Sequence, residues 1–558
     1  MTLLCVASFV DSVARAHRDA AVAAESGADI MEYRIDRLRE AYDVQELVRR
    51  SPLPCIVTCR PTDEGGHSEL PETQRGRLLS AALDAGAAYL DIELTSYRRW
   101  DDPIIGKDLR GRRAILSFHD FRGRPDRLYS ILAEMNEAAP AVNKLAWTAR
   151  SIRDNLEAFE ILQHRQRPTI ALCMGEAGLI SRILARKFGA FLTFASLDGD
   201  GGTAPGQIAV SDMKKLYRWD RIGPSTKVYG VVGCPVMHSM SPAIHNAAFD
   251  AIDFDGVYVP LLVQPGYESF KAFMESFLNF DGLDLCGLSI TIPHKENALR
   301  YLKEQGAHVD PLAESIGALN TIVIEGGGTE ARNVGRHEVT EARRHEGRSD
   351  EATKRRSDEG VTNRTSKIEN RKSLRGFSTD YAAILDSITG ALNIRREELA
   401  GRRVAVLGAG GTGRTAVAAL AHCGADVTIF NRTFERAQAL AQEFDGRGGR
   451  VAAAPMERLS EARCEIYVNT TSVGMHPNVE TSPLGEHPPR LSSDTLVFDT
   501  VYNPPVTKLL EQARSAGART ISGVEMFVRQ AAGQFQAWTG REAPVDVMRA
   551  VINRRPGG

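Results

Sequence analysis

The feature that most constrains the fold is a series of short, β-rich apolar runs that recur every 20–30 residues or so along the first 200 residues. Sequence between them is helix-like, as in Val13–Ser26 and Thr73–Ala85. Strands that alternate with helices predict a parallel sheet, and eight such units predict a closed (β/α)₈ barrel rather than the alternative, a doubly wound open sheet. The predicted strands are Leu3–Phe9, Ile30–Ile35, Cys55–Cys59, Tyr89–Leu94, Arg113–Phe118, Asn143–Thr148, Thr169–Met174 and Phe191–Ser196.

The length, charge and cysteine content of the chain limit the classes of protein to which it can belong. The chain has 558 residues, room for more than one domain. The formal charge of −2 indicates neither a nucleic-acid nor a membrane partner. The eight cysteines are scattered without metal-site spacing, so we expect reduced thiols, no metal and a cytoplasmic location. The N-terminus lacks a basic segment before its apolar run, and no run is long enough to cross a membrane.

Chemistry in such a barrel is expected at the carboxyl ends of its strands. Lys144 lies in the apolar strand NKLAW. A lysine that points into a barrel loses solvation, which favours the neutral amine, a nucleophile towards carbonyl groups. His119, one strand earlier, is a candidate for moving protons. The pair predicts Schiff-base chemistry assisted by an acid or base.

The first 220 residues or so resemble the type I 3-dehydroquinate dehydratases. The matching stretches are EYRID (32–36), TCRPTDEGG (58–66), SFHDF (117–121), KLA (144–146), ISRILARKFGAFLTF (180–194) and APGQI (204–208). The resemblance implies that Lys144 forms an imine with the C3 ketone of 3-dehydroquinate. It also implies that His119 removes the C2 proton and helps to expel the C1 hydroxyl, while Glu64 orients or tunes His119.

The same resemblance implies the substrate-binding residues of the barrel. Arg182 and Gln207 would hold the substrate carboxylate, which suits an arginine fork. Thr203 stands where the family usually has a serine, and it keeps the hydroxyl. The remaining implied pocket residues are Glu32, Arg34 and Arg60.

A turn-rich linker, RIGPST (221–226), separates this half from a second one. After the predicted strand Lys227–Gly233, Ser239 and Ser241 stand at the start of a helix, where hydroxyls suit an anionic ligand. Further on, GLSITIPHK (287–295) is predicted to be a strand that ends near Thr291 and Lys295, and GALNTIVI (317–324) is another, which carries Asn320. Asp380 follows in GFSTDY (376–381), so a lysine and an aspartate are predicted at adjacent strand ends, where they could share a proton with a substrate hydroxyl.

The segment VAVLGAGGTGRTAV (404–417) reads as a strand, a glycine-rich turn and the start of a helix. Gly408, Gly410 and Gly413 fit the GxGxxG pattern that lets a dinucleotide pyrophosphate approach a helix N-terminus. The second strand, ADVTIF (425–430), ends in Asn431, Arg432 and Thr433 instead of the acidic residue of an NAD site. This pattern predicts an open parallel Rossmann sheet that binds NADP(H) through its 2′-phosphate.

Residues 228–555 or so, apart from one insert, resemble the shikimate dehydrogenases. The matching stretches include the Ser239 region (233–246), GLSITIPHK, GAGGTGR, NRT, NTTSVGM (469–475), VYNP (501–504) and GVEMFVRQAAGQFQAWTG (523–540). The resemblance implies NADP(H)-linked interconversion of shikimate and 3-dehydroshikimate, with Lys295 and Asp380 as the catalytic pair. It implies substrate contacts from Ser239, Ser241, Thr291, Asn320, Tyr502 and Gln530, and cofactor contacts from Gly408, Ala409, Gly410, Gly411, Gly413, Asn431, Arg432, Thr433, Thr470, Gly523 and Met526.

These inferences predict an α/β protein in which the barrel is fused to a two-domain dehydrogenase. The predicted domains are 1–222 (barrel), 227–389 with 526–558 (substrate domain) and 390–525 (Rossmann domain). Between 329 and 375, 22 of 47 residues are charged, 13 basic and 9 acidic, and none is aromatic. Such a segment buries too little apolar surface to offset its ordering entropy, so we expect a flexible insert, with docking to an acidic partner as the alternative.

Three other readings of the sequence remain open. The second half could prefer quinate to shikimate, which turnover of the two substrates would distinguish. The barrel could be a Schiff-base aldolase, although SFHDF and APGQI favour the dehydratase. The chain could also be a non-enzymatic regulator built from degenerate enzyme domains, but Lys144, His119, Lys295 and Asp380 are all present. The expected partners are small-molecule substrates, and a homodimer is possible on sequence grounds.

Overall fold

The first half of the chain forms a parallel barrel. The computed structural model describes residues 2–99, 113–197, 203, 206–326, 372–485 and 487–554. Its barrel strands are β1 (Leu3–Phe9), β2 (Ile30–Arg34), β3 (Cys55–Thr58), β4 (Tyr89–Glu93), β5 (Ala114–Asp120), β6 (Val142–Thr148), β7 (Thr169–Met174) and β8 (Leu192–Ala195). They pair in the order β7-β6-β5-β4-β3-β2-β1-β8. Between β7 and β8 the Phe191 N–H donates to the Thr169 carbonyl over 2.8 Å, and the predicted barrel is confirmed.

Helices surround these strands and explain their composition. They are α1 (Val13–Glu25), α2 (Ala41–Arg49), α3 (Glu72–Asp84), α4 (Leu94–Arg99), α5 (Leu128–Ala138), α6 (Asp154–Gln163), α7 (Leu179–Ile183) and α8 (Val210–Lys215). In α1 the buried residues Ala16, Ala20 and Ala23 recur at helical spacing. All six residues of β7 are buried, as expected of a parallel strand covered on both faces.

A second, mixed sheet begins after the linker. Its strands are β9 (Lys227–Gly233), β10 (Gly256–Leu262), β11 (Leu285–Ile290), β12 (His308–Val309), β13 (Thr321–Glu325) and β14 (Ser373–Phe377). Their order is β10-β9-β11-β13-β14-β12, and β13 is antiparallel to both of its neighbours. The accompanying helices are α9 (Ser241–Ala251), α10 (Tyr267–Leu278), α11 (Lys295–Glu304), α12 (Pro311–Ile316) and α13 (Thr379–Leu392).

A third sheet has the predicted Rossmann architecture. Its strands are β15 (Arg403–Leu407), β16 (Asp426–Asn431), β17 (Val451–Pro455), β18 (Ile466–Asn469), β19 (Leu496–Asp499) and β20 (Arg519–Ile521). All are parallel, in the order β17-β16-β15-β18-β19-β20, which is the 3-2-1-4-5-6 order of doubly wound dinucleotide-binding folds. The helices of this part are α14 (Gly411–His422), α15 (Phe434–Phe444) and α16 (Lys508–Ser515).

The last two helices, α17 (Gly523–Thr539) and α18 (Val545–Arg554), return to the second sheet. Phe527, Phe535 and Met548 share a buried cluster with Tyr229 of β9 and Phe249 of α9. The chain therefore leaves the second sheet, builds the third and comes back, which places a cleft between the two.

The barrel and the second sheet share one continuous hydrophobic core, which runs from Leu4 of β1 to Leu374 of β14. At the junction, Phe280 lies 6.3 Å from Phe159 and 6.1 Å from Phe188 between ring centroids. Lys187 of the barrel donates to the Pro224 and Thr226 carbonyls of the linker and to Asp284, at 2.7–2.9 Å. The two halves are therefore joined by packing as well as by the chain.

Two sequence predictions in the second half are wrong in their boundaries. The strand predicted to run to Lys295 ends at Ile290, because Pro293 has no N–H for the ladder, and Lys295 begins α11 instead. Similarly, Asp380 lies in the first turn of α13. The predicted flexible insert ends too late, because Ser373–Phe377 forms β14 and buries Leu374 against β13. The rest of that insert, up to residue 371, lies outside the described residues.

No helix in the described part of the chain combines the length and the apolar character needed to cross a membrane.

Candidate active sites

The carboxyl ends of the barrel strands surround a pocket that contains Lys144. Of the residues predicted for this site, the pocket is lined by Glu32, Arg34, Arg60, His119, Lys144, Arg182, Thr203 and Gln207. Gly65 and Phe121 also border it. The structure thus brings together eight predicted side chains from six different segments of the barrel.

Lys144 is buried and paired. Its Nζ lies 2.6 Å from Oδ2 of Asp91 and 3.5 Å from Oε1 of Glu32. Glu32 also accepts a 2.6 Å hydrogen bond from Thr58. The amine is therefore both desolvated and held in a fixed direction by carboxylates from β2 and β4.

Asp91 is the centre of this cluster. Besides Lys144, it binds Nη2 of Arg60 at 2.8 Å and accepts a 2.6 Å hydrogen bond from Ser117. Burial alone would raise the pKa of Asp91, but Arg60 and Lys144 beside it hold that pKa far below its usual range. Asp91 therefore stays ionised between the Arg60 guanidinium and the Lys144 amine.

Arg60 is also held by a second carboxylate, that of Glu93. Its Nη1 lies 3.3 Å from Glu93, and Glu93 forms a 2.5 Å ion pair with Arg75 of α3. Arg75 is almost fully buried and also donates to the Cys59 carbonyl at 2.8 Å. This alternation of charges explains how several ionised groups can share one interior.

His119 lies against the same arginine. Nη1 of Arg60 is 3.3 Å from Nδ1 of His119. A guanidinium only donates, so Nδ1 acts as an acceptor and the ring is neutral. Burial, together with Arg60 and Lys144, lowers the pKa of His119 well below its ordinary value. The neutral ring then carries its hydrogen on Nε2, and its proton-accepting nitrogen is Nδ1, which lies against Arg60.

Glu64 forms its hydrogen bond with a residue of α4. Among the described residues, its carboxylate accepts a 2.7 Å hydrogen bond from Thr95, and no hydrogen bond joins it to His119. Burial raises the pKa of Glu64. Its predicted role in orienting His119 thus has no direct contact to support it in the free site.

At the other side of the pocket, Arg182 is buried and incompletely satisfied. Its Nε has no hydrogen-bond partner among the described residues. Burial lowers the pKa of Arg182 to about 10. Nearby, the amide of Gln207 accepts from the Thr203 N–H at 2.8 Å and donates to the Thr203 hydroxyl at 3.2 Å. In the part of the chain that the structure describes, no salt bridge joins Arg182 to a carboxylate, and a buried cation of this kind favours an anionic ligand.

A second pocket lies in the cleft between the second and third sheets. Of the residues predicted for it, the lining includes Ser239, Ser241, Thr291, Lys295, Asp380, Tyr502, Gly523, Met526 and Gln530. Nζ of Lys295 is 2.7 Å from Oδ2 of Asp380, a pair formed by the first turns of α11 and α13. Asn320 stands behind the lining, where it donates to Gln530 at 3.1 Å.

The floor of this pocket is a hydrogen-bonded chain that was not predicted from the sequence. Tyr258 donates to Ser289 at 2.6 Å, Ser289 donates to Gln534 at 2.8 Å, and Gln534 donates to the Asn320 carbonyl at 3.1 Å. Ser289 and Gln534 both line the pocket. This chain fixes the backbone at Asn320, whose side chain contacts Gln530.

The glycine-rich turn between β15 and α14 fits a dinucleotide. Gly408 has φ +109°, and a Cβ on Gly413 would lie 2.3 Å from the Gly408 carbonyl, so neither position accepts a side chain. α14 begins at Gly411 and presents its N-terminus to the turn. Thr470 donates to the Leu407 carbonyl at 2.8 Å and closes the turn from β18.

The end of β16 offers the groups expected for a 2′-phosphate. Asn431 accepts from the Ala409 N–H at 3.2 Å and donates to the Thr433 carbonyl at 2.8 Å. The Asn431 amide therefore joins the glycine-rich turn to the turn that follows β16. Arg432 and Thr433 are exposed beside it, where a guanidinium and a hydroxyl are free to meet a phosphate.

The chain was compared with known proteins. Residues 4–224 match the model of type I 3-dehydroquinase, 231–322 that of the shikimate dehydrogenase substrate-binding domain, 391–524 that of shikimate/quinate 5-dehydrogenase, and 523–552 that of the shikimate 5′-dehydrogenase C-terminal domain. A chloroplastic bifunctional 3-dehydroquinate dehydratase/shikimate dehydrogenase of Arabidopsis thaliana is 36% identical over 567 residues, which cover 99% of this chain and 84% of that protein.

The chain belongs to the bifunctional 3-dehydroquinate dehydratase/shikimate dehydrogenase family.

Single-function relatives match the second half alone. The NADP⁺ shikimate dehydrogenase of Methanosarcina acetivorans is 34% identical over 330 residues, 58% of this chain and 97% of that protein. A crystal structure of a shikimate dehydrogenase with NADP⁺ is 29% identical and has a TM-score of 0.45, covering 60% of this chain and 96% of that one. Among the described residues of the present chain, no three His, Cys, Asp or Glu side chains come together as a metal would need.

The predictions from the sequence missed several residues of the two sites or gave them no role. Asp91 and Glu93 are acidic residues inside an apolar barrel strand, and that position was the signal that could have paired them with Lys144 and Arg60. Ser289 and Gln534 carry no such signal, because each is an ordinary polar residue in its own segment. Thr412 lies inside the glycine-rich motif, where attention falls on the glycines.

Proposed function

We propose that the barrel dehydrates 3-dehydroquinate through an imine at Lys144 and that the second half reduces the product, 3-dehydroshikimate, to shikimate with NADPH. The protein is a bifunctional enzyme, a lyase and an oxidoreductase of the shikimate pathway. The observation that carries the assignment of chemistry is that each pocket holds a lysine beside an aspartate, Lys144 with Asp91 at 2.6 Å and Lys295 with Asp380 at 2.7 Å.

In the barrel, the Lys144 amine adds to the C3 ketone and water leaves, which gives the imine. The protonated imine withdraws electrons from C2, so that neutral His119 can remove the C2 proton. His119 then returns a proton to the C1 hydroxyl, which leaves as water, and hydrolysis of the imine releases 3-dehydroshikimate and restores the amine. The lowered pKa of His119 supports its role as the base in the first of these proton transfers.

The substrate carboxylate is assigned to Arg182, with Gln207 and Thr203 beside it. A carboxylate would satisfy the unpartnered Nε of Arg182, which is otherwise a costly group to bury. Glu32, Arg34 and Arg60 are assigned to the substrate hydroxyls and to the shape of the pocket. Glu64 is assigned to tuning His119 without a direct hydrogen bond to it.

In the dehydrogenase, Lys295 gives a proton to the carbonyl oxygen that is reduced, Asp380 holds the amine in place, and a proton taken up from solvent restores the ammonium. The nicotinamide, when bound, supplies the hydride. Ser239 and Ser241 are assigned to the substrate carboxylate. The ring contacts are assigned to Thr291, Asn320, Tyr502 and Gln530.

The proposed cofactor residues are those of the glycine-rich turn and its neighbours, and the parallel order of the third sheet supports them. Gly408, Ala409, Gly410, Gly411 and Gly413 surround the pyrophosphate position. Asn431 holds the turn, Arg432 and Thr433 take the 2′-phosphate, and Thr470 supports the loop. Gly523 and Met526 line the pocket near the expected nicotinamide.

The proposed domains are 1–222, 227–389 with 526–558, and 390–525, supported by the three sheets and by the return of α17 and α18. We also propose a cytoplasmic location, which the eight free cysteines support. A homodimer is a further proposal that analytical ultracentrifugation can test.

A coupled assay tests both halves at once. With 3-dehydroquinate and NADPH, the wild type should consume NADPH, while Lys144→Ala and Lys295→Ala should not. Added 3-dehydroshikimate should restore consumption in the first variant but not in the second. Borohydride with 3-dehydroquinate should attach substrate mass to Lys144. Absence of that adduct, with the dehydratase still active, would refute the imine.

A further inference from the structure

The dehydrogenase lysine has a second hydrogen-bond partner, which comes from the opposite wall of the cleft. Nζ of Lys295 donates to Asp380 at 2.7 Å and to the hydroxyl of Thr412 at 3.1 Å. Asp380 belongs to α13, whereas Thr412 is the second residue of α14, directly after the glycine-rich turn. The amine is thus held by one group from the substrate-binding side and one from the cofactor-binding side.

The contact is embedded in close backbone packing. A Cβ on Gly411 would lie 3.1 Å from Cδ of Lys295, so the lysine stem lies against the glycine-rich turn itself. The same turn of α14 forms a second hydrogen bond across the cleft, in which Arg414 donates to the Ile316 carbonyl at 3.1 Å. Arg414 is held in that position by two bonds to Glu443, at 2.6 and 2.7 Å.

We propose that Thr412 is a positioning residue that sets the direction of the Lys295 amine. The inference rests on the proposed function of Lys295. An ammonium has three N–H donors. Asp380 and Thr412 occupy two of them, so the third is directed into the pocket, where the reacting oxygen must lie. With only Asp380 as a partner, the amine could rotate about that one bond.

The arrangement also joins two functions in one short segment. The turn that presents the helix N-terminus to the cofactor pyrophosphate carries the hydroxyl that orients the proton donor. A shift of this turn therefore changes the placement of Lys295 directly.

The test uses Thr412→Val, which keeps the shape and removes the hydroxyl, and Thr412→Ser, which keeps the hydroxyl. Loss of one positioning hydrogen bond corresponds to about a tenfold fall in dehydrogenase kcat. We expect that fall in Thr412→Val with the KM and Kd for NADP⁺ within about twofold of wild type. Thr412→Ser should recover most of the kcat. Thr389→Val is the matched control, because Thr389 donates to the Leu385 carbonyl within its own helix, nine residues beyond Asp380.

A second readout does not depend on turnover. The free enzyme is treated with acetic anhydride, and acetylation of Lys295 is followed by peptide mass spectrometry. Thr412→Val should acetylate several-fold faster at Lys295 than the wild type and Thr412→Ser. Dehydratase activity in the same preparations should be unchanged, which shows that the barrel is intact.

Three results would overturn the inference. One is a raised KM for NADP⁺ with unchanged kcat in Thr412→Val, which would make the residue a cofactor contact only. Another is equal impairment of Thr412→Ser and Thr412→Val. The third is unchanged acetylation of Lys295. Failure of the proposed function gives a different result, since Lys295→Ala would then retain dehydrogenase turnover.

Discussion

Lys144 and Asp91 form a buried ion pair in the barrel, with Nζ 2.6 Å from Oδ2. The two residues come from β6 and β4, two strands apart in the barrel order. Asp91 binds Arg60 as well, so a single carboxylate fixes both the proposed nucleophile and a cation of the pocket wall. The pair explains how a lysine can be held, fully buried, in a defined direction before substrate arrives.

Asp91→Asn should therefore disable the barrel while leaving the dehydrogenase active. The substitution leaves Arg60 and Lys144 without their shared counter-charge, and breaking a buried ion pair costs about 3–5 kcal/mol. We expect at least a hundredfold loss of dehydratase kcat and a lower melting temperature for the barrel. Asp126→Asn, at an exposed position, is the control. Retention of dehydratase activity in Asp91→Asn would show that Lys144 needs no counter-ion.

The state of His119 predicts the pH dependence of the dehydratase. Burial and neighbouring cations lower the pKa of His119, so the ring stays neutral as the pH falls through 6.5, where a free histidine would become protonated. The acid limb of dehydratase kcat/KM should therefore lie well below pH 6.5. The measurement is initial rates between pH 4.5 and 8.5 or so at constant ionic strength. An acid limb at or above pH 6.5 would contradict the neutral base.

Arg432 should determine the choice of cofactor. It is the exposed cation beside Asn431, at the end of the second Rossmann strand. Removing a charge-assisted bond to a phosphate costs about 1.5–3 kcal/mol, so Arg432→Ala should raise the KM for NADP⁺ by roughly 10- to 100-fold. The KM for NAD⁺ should change far less. Arg450→Ala, an exposed change of the same charge in the same domain, should leave both values alone.

His245 should make the protein sensitive to acid. It is buried between the rings of Tyr258 and Trp538, and burial lowers its pKa from 6.5 to about 3. Above pH 6.5 the folded and unfolded states are both neutral at this ring. Below it the unfolded state binds a proton that the folded state rejects, so stability falls by about 2 kcal/mol by pH 5.

His245→Phe tests this directly, because it keeps a ring in the same place and removes the titration. The difference in melting temperature between pH 7 and pH 5 should be smaller in the variant than in the wild type. An equal difference in both proteins would show that His245 does not contribute to acid sensitivity.

Much of the fold could be predicted because its signals are local. The eight apolar runs, the helical spacing of residues such as Ala16 and Ala20, and the glycine-rich turn each depend on neighbours a few positions away. The predictions failed at the end of β11 and at the start of β14, for two different reasons. Pro293 was a visible signal that β11 had to end early, whereas the burial of Leu374 was visible only once β13 lay beside it.

The sequence by itself determined the two classes of chemistry: Lys144 in an apolar strand, and Asn431 and Arg432 after a Rossmann turn, each define what their segments can do. Only the tertiary structure decided which groups act on those residues. Lys144 meets Asp91 across 53 positions of sequence, Lys295 meets Thr412 across 117, and Glu64 bonds to Thr95 instead of to His119. Contacts at such separations follow from how strands and helices pack, and hydrogen bonds and ion pairs depend on ångström distances that no local pattern encodes.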